Sequence, residues 1–183
     1  MLVVDEPESL PVPEARDGQP GAWDILFRRY QLPLYAYVQE LVRDEQTSLD
    51  IVQETFSNAV RHLAGLRDDA KFGSWLFGIA HQKVVQHWRK RRLDTVSLDD
   101  TNSDRVPTDD RPDDWLIRKE QEAAFMKLVG QLPETHRAVL LLHFIEDFSL
   151  EEIAGITESP LGTVKSRMHY AKKSLREQLE TLK

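Results

Sequence analysis

A segment near the C-terminus places short hydroxyl and long cationic side chains on one side of a predicted helix. These residues are Thr163, Lys165, Ser166, Arg167, His169 and Lys172. Such side chains contact phosphates and base edges when a helix lies in the major groove of DNA. The spacing therefore indicates DNA binding, although an ordinary helical hairpin with a solvated basic face has the same pattern.

The residues before this helix carry the signals of a second short helix and a tight turn. Ser149 and Glu152 form a capping-box pattern that starts the first helix. Ser159-Pro160 is typical of a cap followed by proline at the first position of the next helix. Small and branched apolar residues are spaced to pack where the two helices cross, namely Ile153, Ala154 and Val164. Two short helices joined in this way predict a helix-turn-helix.

A second basic cluster, Arg89-Lys90-Arg91-Arg92, ends a predicted helix in the first half of the chain. Trp75 lies earlier on the same helix, and an aromatic ring near basic residues can stack on an unpaired base. Its helical spacing with Leu76 and Ile79 favours instead a place in the hydrophobic core.

The chain lacks the patterns of catalytic and metal sites. It has no cysteine, which excludes disulfides, thiolate zinc sites and a cysteine nucleophile. Its six histidines form no HExxH or HxH pattern, and no glycine-rich phosphate loop occurs. We therefore predict a protein that is not an enzyme and that needs no cofactor and no metal.

Charge divides the 183 residues into four parts, although the chain as a whole carries a net charge of −7. Residues 1–20 hold five acidic side chains against one arginine, and residues 94–114 hold eight aspartates against two arginines. These segments contain six of the nine prolines, which predicts a disordered acidic tail and a flexible acidic linker. Residues 21–93 are basic, with 11 cationic and 8 anionic side chains, and residues 115–183 balance at ten of each.

Both modules have helical periodicity and no strand signal, so the predicted fold is all-α, with two small helical domains. In the first module Pro33 should kink or split a helix, and Thr47 or Ser48 can cap the next one. In the second module Asp113 or Asp114 can cap a helix that Leu132-Pro133 breaks. No apolar run reaches the roughly 18 residues of a membrane span, and the N-terminus lacks the pattern of a signal peptide. We expect a cytoplasmic protein without membrane insertion.

The helix-turn-helix segment LEEIAGITESPLGTVKSR, at 150–167, resembles the C-terminal helix-turn-helix of bacterial RNA polymerase sigma factors. The preceding LPETHRAVLLLHFIEDFS resembles the first part of that same domain. DIVQETF at 50–56 and FGSWLFGIA at 72–80 are similar to the sigma domain that binds the polymerase clamp and the minus-ten element. Two such domains in a chain this short resemble the extracytoplasmic-function (ECF) subfamily. The family usually has Gly at the position of Glu158, often has Asn at that of His81, and often has an acid at that of Leu49.

The resemblance implies a sigma factor that binds core RNA polymerase and promoter DNA and is typically held by an anti-sigma factor. It places the polymerase contact at Asp50, Gln53, Glu54 and Phe56. It places the minus-ten contact at His62, Lys71, Phe72, Arg89, Lys90, Arg91 and Arg92. It places the minus-thirty-five contact at Thr163, Lys165, Ser166, Arg167, His169, Lys172 and Lys173. The acidic linker would cross the basic interior of the polymerase.

Two other functions are compatible with the pattern. A free-standing helix-turn-helix regulator would need a dimer or a strong basic footprint, whereas the second module has no net charge. A protein-binding adaptor would fit that neutrality and the acidic linker.

Overall fold

The computed structural model of the chain describes residues 10–95 and 125–181, and all regular structure in these ranges is helical. The helices are α1 (Val12–Arg16), α2 (Ala22–Val42), α3 (Glu45–His62), α4 (Phe72–Thr95), α5 (residues 125–131), α6 (Glu134–Glu146), α7 (Leu150–Ile156) and α8 (Leu161–Thr181). Single 3-10 turns at Leu63–Gly65 and Asp69–Lys71 connect α3 to α4. The all-α prediction is confirmed. The acidic linker at 94–114 and the predicted cap at Asp113 or Asp114 lie almost wholly outside the described residues.

Helices α2, α3 and α4 form the first module and bury one side of each helix in a common core. Leu34 and Tyr37 of α2 and Phe77 of α4 are fully buried there. Pro33 lies inside α2 without splitting it, although proline has no N–H to donate. Burial of the neighbouring Leu34 and Tyr37 offsets the missing hydrogen bond, because tertiary packing overrides local propensity.

The segment before α2 is folded in part, so the prediction of a disordered tail is wrong for residues 12–16. Val12 and Ala15, one helical turn apart, are buried on α1. Arg16 forms an ion pair with Asp69 and donates a hydrogen bond to the carbonyl of Leu66 at 3.0 Å. The prediction used the acidic composition of the segment and missed the short apolar stripe that Val12 and Ala15 form. Residues 1–9 lie outside the described residues.

Helix α3 begins three or four residues earlier than the predicted cap at Thr47 or Ser48. Asp44 is its N-cap, and its Oδ1 accepts the backbone N–H of Thr47 at 2.8 Å. Hydrogen bonding from the side chain of Thr47, and then from its backbone N–H, lowers the pKa of Asp44. The predicted caps are wrong because Thr47 and Ser48 lie inside the helix, where the hydroxyl of Ser48 donates to the carbonyl of Asp44 at 2.6 Å.

The second module contains the predicted helix-turn-helix. Leu132 and Pro133 separate α5 from α6, and Ser149 with Glu152 forms a capping box at the start of α7. The turn between α7 and α8 passes through Glu158, whose φ of 48° is left-handed, the conformation that favours glycine. The inner face of the two helices is buried, through Ile153, Ile156, Val164 and Met168.

The start of α8 differs by one residue from the predicted cap. Pro160 immediately precedes the helix, and its carbonyl accepts the N–H groups of Thr163 and Val164 at 2.9 and 3.1 Å. Ser159 lies one residue further out, and its hydroxyl donates to the carbonyl of Thr157 at 3.1 Å.

The two modules pack against each other in the described structure. Helix α6 lies against α2, and α7 lies against α4. This arrangement places the turn of the helix-turn-helix next to the first module.

Candidate functional site

The outer face of α8 presents most of the side chains that the sequence assigned to DNA. Lys165, Ser166, His169, Lys172 and Lys173 are exposed. Helix α7 and the buried Val164 hold this face away from the core. An exposed helix face with cations and a hydroxyl can reach phosphates and base edges in a major groove.

Thr163 and Arg167, the other two predicted residues of this helix, are partly buried. The Nη1 of Arg167 donates to the hydroxyl of Ser159 at 3.0 Å, and that hydroxyl donates in turn to Thr157. The chain of hydrogen bonds holds the guanidinium over the turn. The charge of Arg167 also contributes to the lowered pKa of His81, which is on the first module. Arg167 therefore lies at the boundary between the modules.

The predicted minus-ten residues fall into two groups. His62, Lys71 and the cluster Arg89–Arg92 are exposed, and the cluster occupies the last turns of α4. Arg92 of this cluster forms an ion pair with Glu134 of the second module, at 3.0 Å between Nη2 and Oε2.

Phe72 is the exception, because its side chain is fully buried and not available to a base. Its ring packs against Trp23, Tyr30 and Trp75, with centroid separations of 6.3, 5.5 and 5.9 Å. The assignment of Phe72 to the DNA contact stays a prediction, and in this structure its ring fills the core. Its position one turn before the buried Leu76 was the sequence signal for a core residue. Trp75 is half-buried on Phe72, which supports its core assignment.

The predicted polymerase-binding face lies on α3. Asp50, Gln53 and Glu54 are exposed, and Glu54 forms an ion pair with Lys83 of α4 at 2.5 Å. Phe56 is buried instead of exposed, with its ring centroid 4.8 Å from that of Phe27. The assignment of Phe56 to the polymerase contact stays a prediction, and in this structure its side chain points into the core.

The same face of α3 has members that sequence reasoning missed. Ser57, Asn58 and Arg61 line a shallow polar depression together with Gln53 and Glu54. Exposed Leu49 and Val60 add apolar surface to this helix. The spacing of these residues from Gln53 and Glu54, one or two helical turns along α3, was the signal in the sequence that places them on the same face.

His81 is the buried titratable group of α4. Its Nδ1 lies 2.7 Å from the hydroxyl of Tyr37, within hydrogen-bond distance. Burial, and to a lesser extent the charge of Arg167, lowers the pKa of His81 to about 4. The imidazole is therefore neutral at physiological pH and serves the core.

No group of three or more histidine or acidic side chains could hold a metal ion in residues 10–95 and 125–181. None of the helices within these ranges is long and apolar enough to cross a membrane.

Comparison with known families and proteins identifies the same two modules. Residues 26–93 match the family model Sigma-70 region 2, and residues 122–175 match Sigma-70, region 4. The whole chain is similar to the RNA polymerase sigma-H factor of Pseudomonas aeruginosa, with 30% identity over 98% of that protein. It is similar to the ECF RNA polymerase sigma factor SigW of Bacillus subtilis, with 27% identity over 93% of the chain and 96% of that protein. Its fold is similar to that of the sigma factor RpoE in its complex with the anti-sigma factor NepR from Bartonella quintana. That likeness has a TM-score of 0.64 and 24% identity, and it covers 85% of this chain and 96% of that one.

Proposed function

The chain belongs to the sigma-70 family of RNA polymerase sigma factors, in its extracytoplasmic-function subfamily, and on this premise we propose which of its surfaces bind polymerase and DNA. As a member of this family it directs RNA polymerase in transcription initiation. It supplies binding and positioning, and the polymerase supplies the chemistry. We place its action in the cytoplasm, where it would bind core RNA polymerase and promoter DNA.

The polymerase contact is the exposed polar face of α3. Asp50, Gln53 and Glu54 carry charge or hydrogen-bonding groups that the fold does not bury. An exposed polar helix face with the neighbouring apolar Leu49 and Val60 has the mixed character of a protein interface.

The DNA contacts are the outer face of α8 and the basic end of α4. The observation that carries this assignment is the set of exposed hydroxyl and cationic side chains on α8, directly after a capped α7 and a tight turn. Lys165 and Ser166 lie near the start of α8, where a recognition helix meets base edges, and Lys172 and Lys173 lie where it meets phosphates. His62, Lys71 and the Arg89–Arg92 cluster would serve the minus-ten region.

An anti-sigma factor is the further partner that we propose. The RpoE structure with a similar fold was solved in complex with such a protein. The anti-sigma factor would cover the α3 face or the α8 face, because polymerase binds the first of these surfaces and DNA binds the second.

Reconstitution with core RNA polymerase tests the function. The full chain should direct run-off transcription from a subset of fragmented genomic DNA of the source bacterium, and core enzyme alone should not. Lys165→Ala with Ser166→Ala should abolish the selection of templates, whereas Arg176→Ala, further along α8 and also exposed, should preserve it. Equal selection by all three proteins would contradict the assignment of α8. Failure of the chain to bind core polymerase would contradict the function itself.

A further inference from the structure

Helix α1 lies before the part of the chain that matches the Sigma-70 region 2 model, which begins at residue 26. The helix is nevertheless packed on the first module, because Val12 and Ala15 are only 1% and 4% exposed. Burial of these two side chains fixes the orientation of the short helix. Arg16, its last residue, is thereby brought to the connecting loop, residues 63–71 between α3 and α4.

Arg16 contacts the connecting loop at two points. Its Nη2 donates to the backbone carbonyl of Leu66 at 3.0 Å and pairs with Oδ1 of Asp69. Its Nη1 donates to Oδ2 of the same carboxylate at 3.5 Å. A guanidinium offers several N–H donors in fixed directions, so one side chain can hold both groups at once. Arg16 therefore bridges the two ends of the stretch 66–69.

The bridged stretch determines where the end of the connecting loop lies. Between its two ends the chain bends at Arg67, which is exposed. The 3-10 turn that carries Lys71 starts at Asp69, the carboxylate that Arg16 holds. Within this turn the carbonyl of Asp68 accepts the N–H of Lys71 at 3.0 Å. A displacement of Asp69 would therefore displace the exposed Lys71 as well.

The contact of Arg16 acts more on geometry than on stability. The side chains of Arg16 and Asp69 are 29% and 36% exposed, and ion pairs of such exposure contribute little to folding. The two residues are 53 positions apart in the chain. Their contact therefore joins α1 to the connecting loop through tertiary structure, where no local hydrogen-bond pattern does so.

Residues assigned to the minus-ten contact lie at both ends of the connecting loop. His62 directly precedes the loop, Lys71 ends it, and both side chains are exposed. A loop that is mobile before binding must be ordered by its ligand, and this ordering costs entropy. A contact that fixes the loop in advance removes part of that cost and restricts the loop to one set of base contacts.

We propose that Arg16 is a positioning residue for minus-ten recognition, which holds the connecting loop from α1 in the conformation that meets DNA. It acts through Leu66 and Asp69 and needs no contact of its own with a base. The part played in DNA recognition rests on the proposed function, whereas the fixation of the loop rests on the contacts of Arg16.

Hydrogen–deuterium exchange of the free, full chain tests the fixation without DNA or polymerase. Arg16→Ala should speed exchange in peptides that cover residues 63–71 by about fivefold or more, because local opening of the loop becomes easier. Peptides from α6 and α8 should keep the exchange of the wild type. Glu14→Ala, at an exposed position on the same helix, is the control and should leave the loop unchanged. Unchanged exchange of the loop in Arg16→Ala would overturn the proposal.

Transcription by the reconstituted holoenzyme supplies a readout that a purely structural role would not change. The template is one that the wild-type chain selects, with libraries randomised at the minus-ten or at the minus-thirty-five element. A mismatch at a recognised base pair costs roughly five- to hundredfold in binding. Arg16→Ala should therefore reduce minus-ten discrimination by about fivefold or more and leave minus-thirty-five discrimination unchanged. Any other pattern of loss would overturn the proposal.

Variants of Asp69 test whether Arg16 acts through this carboxylate. Asp69→Ala should produce the same loss, and its combination with Arg16→Ala should be no worse than either single variant, because both remove one contact. Arg16→Lys keeps the charge but cannot hold both groups, so it should retain part of the discrimination, and it can be assayed where Arg16→Ala is too unstable. Losses that multiply in the double variant would overturn the proposal.

The two measurements separate this proposal from the proposed function. If the loop opens in Arg16→Ala while even the wild-type chain selects no templates with core polymerase, the proposed function fails and the fixation of the loop stands. If the wild-type chain selects templates and Arg16→Ala keeps the same minus-ten discrimination, the proposed function stands and the positioning role of Arg16 fails.

Discussion

The ring of Phe148, just before α7, meets the ring of Phe77 on α4 edge to face, with centroids 5.3 Å apart. Phe77 is fully buried and Phe148 is nearly so. Because the two residues belong to different modules, the pair ties the stability of one module to the position of the other.

Replacement of these rings by leucine should reveal that coupling. In a double-mutant cycle, Phe77→Leu and Phe148→Leu should show a coupling free energy of about 0.5–1.5 kcal/mol, the contribution of an edge-to-face pair beyond its buried area. Urea unfolding of the four proteins measures it. Additive effects would mean that the rings do not meet in solution.

Phe72 should behave as a core residue. Phe72→Ala should lower the free energy of unfolding by about 3–5 kcal/mol, because it leaves a cavity among three aromatic rings. The adjacent exposed Lys71→Ala should change it by less than about 0.5 kcal/mol. Thermal and urea unfolding check both. If Phe72→Ala is as stable as the wild type but defective in transcription, Phe72 contacts DNA and does not serve mainly as a core residue.

The α3 face should separate binding from folding. Gln53→Ala with Glu54→Ala should lower the affinity for core polymerase while the melting temperature barely moves, because the ion pair of Glu54 with Lys83 is at the surface. Glu45→Ala, at an exposed position more than two turns earlier on the same helix, is the control. Equal losses of affinity and stability would make this face structural.

Arg167 and Lys172 should give different defects on α8. Arg167→Ala should weaken the binding free energy at the preferred minus-thirty-five element by about 1–3 kcal/mol. It should also reduce the discrimination between base sequences at that element. Lys172→Ala should weaken binding to all sequences alike and reduce the salt slope by about one unit. Competition on a promoter library at two salt concentrations measures both. Uniform loss in Arg167→Ala would exclude base readout through this residue.

His81 should make stability depend on pH in the acidic range. Its pKa is lowered to about 4 in the folded chain and is about 6.5 in the unfolded chain, so the unfolded chain binds more protons between these values. Stability should therefore fall as the pH drops from about 6.5 to 4, by up to about 3 kcal/mol, and His81 should contribute no change above that range. The difference between wild type and His81→Asn, measured by urea unfolding across this pH range, isolates the effect. A constant difference would contradict the burial of a neutral imidazole.

Several elements were predictable because their signals are local. The capping box at Ser149 and Glu152, the break at Leu132-Pro133 and the helical periodicity of both modules are confirmed. Each depends on hydrogen bonds or side-chain spacing within about one turn of a helix. The family usually has glycine at the position of Glu158, and this indicated a left-handed residue in the turn, as the structure has it.

The two buried residues of the predicted sites are buried for the same reason. Phe56 and Phe72 have the aromatic character of an exposed anchor or a stacking platform, and the same character fills a core. Spacing places such a ring on a helix face, but only the neighbouring helices decide whether that face is covered. Here Phe27 covers Phe56, and Trp23 and Tyr30 cover Phe72.

The sequence by itself determined two helical modules, the helix-turn-helix and the polar and cationic faces of α3 and α8, because amphipathic period and capping are encoded within a few residues. Tertiary structure alone decided how the modules meet. Arg29 and Glu146 are 117 residues apart, and Arg137 is 97 residues from the carbonyl that it binds. No local pattern specifies such pairs, since their strength comes from desolvation and geometry that exist only after both modules have folded.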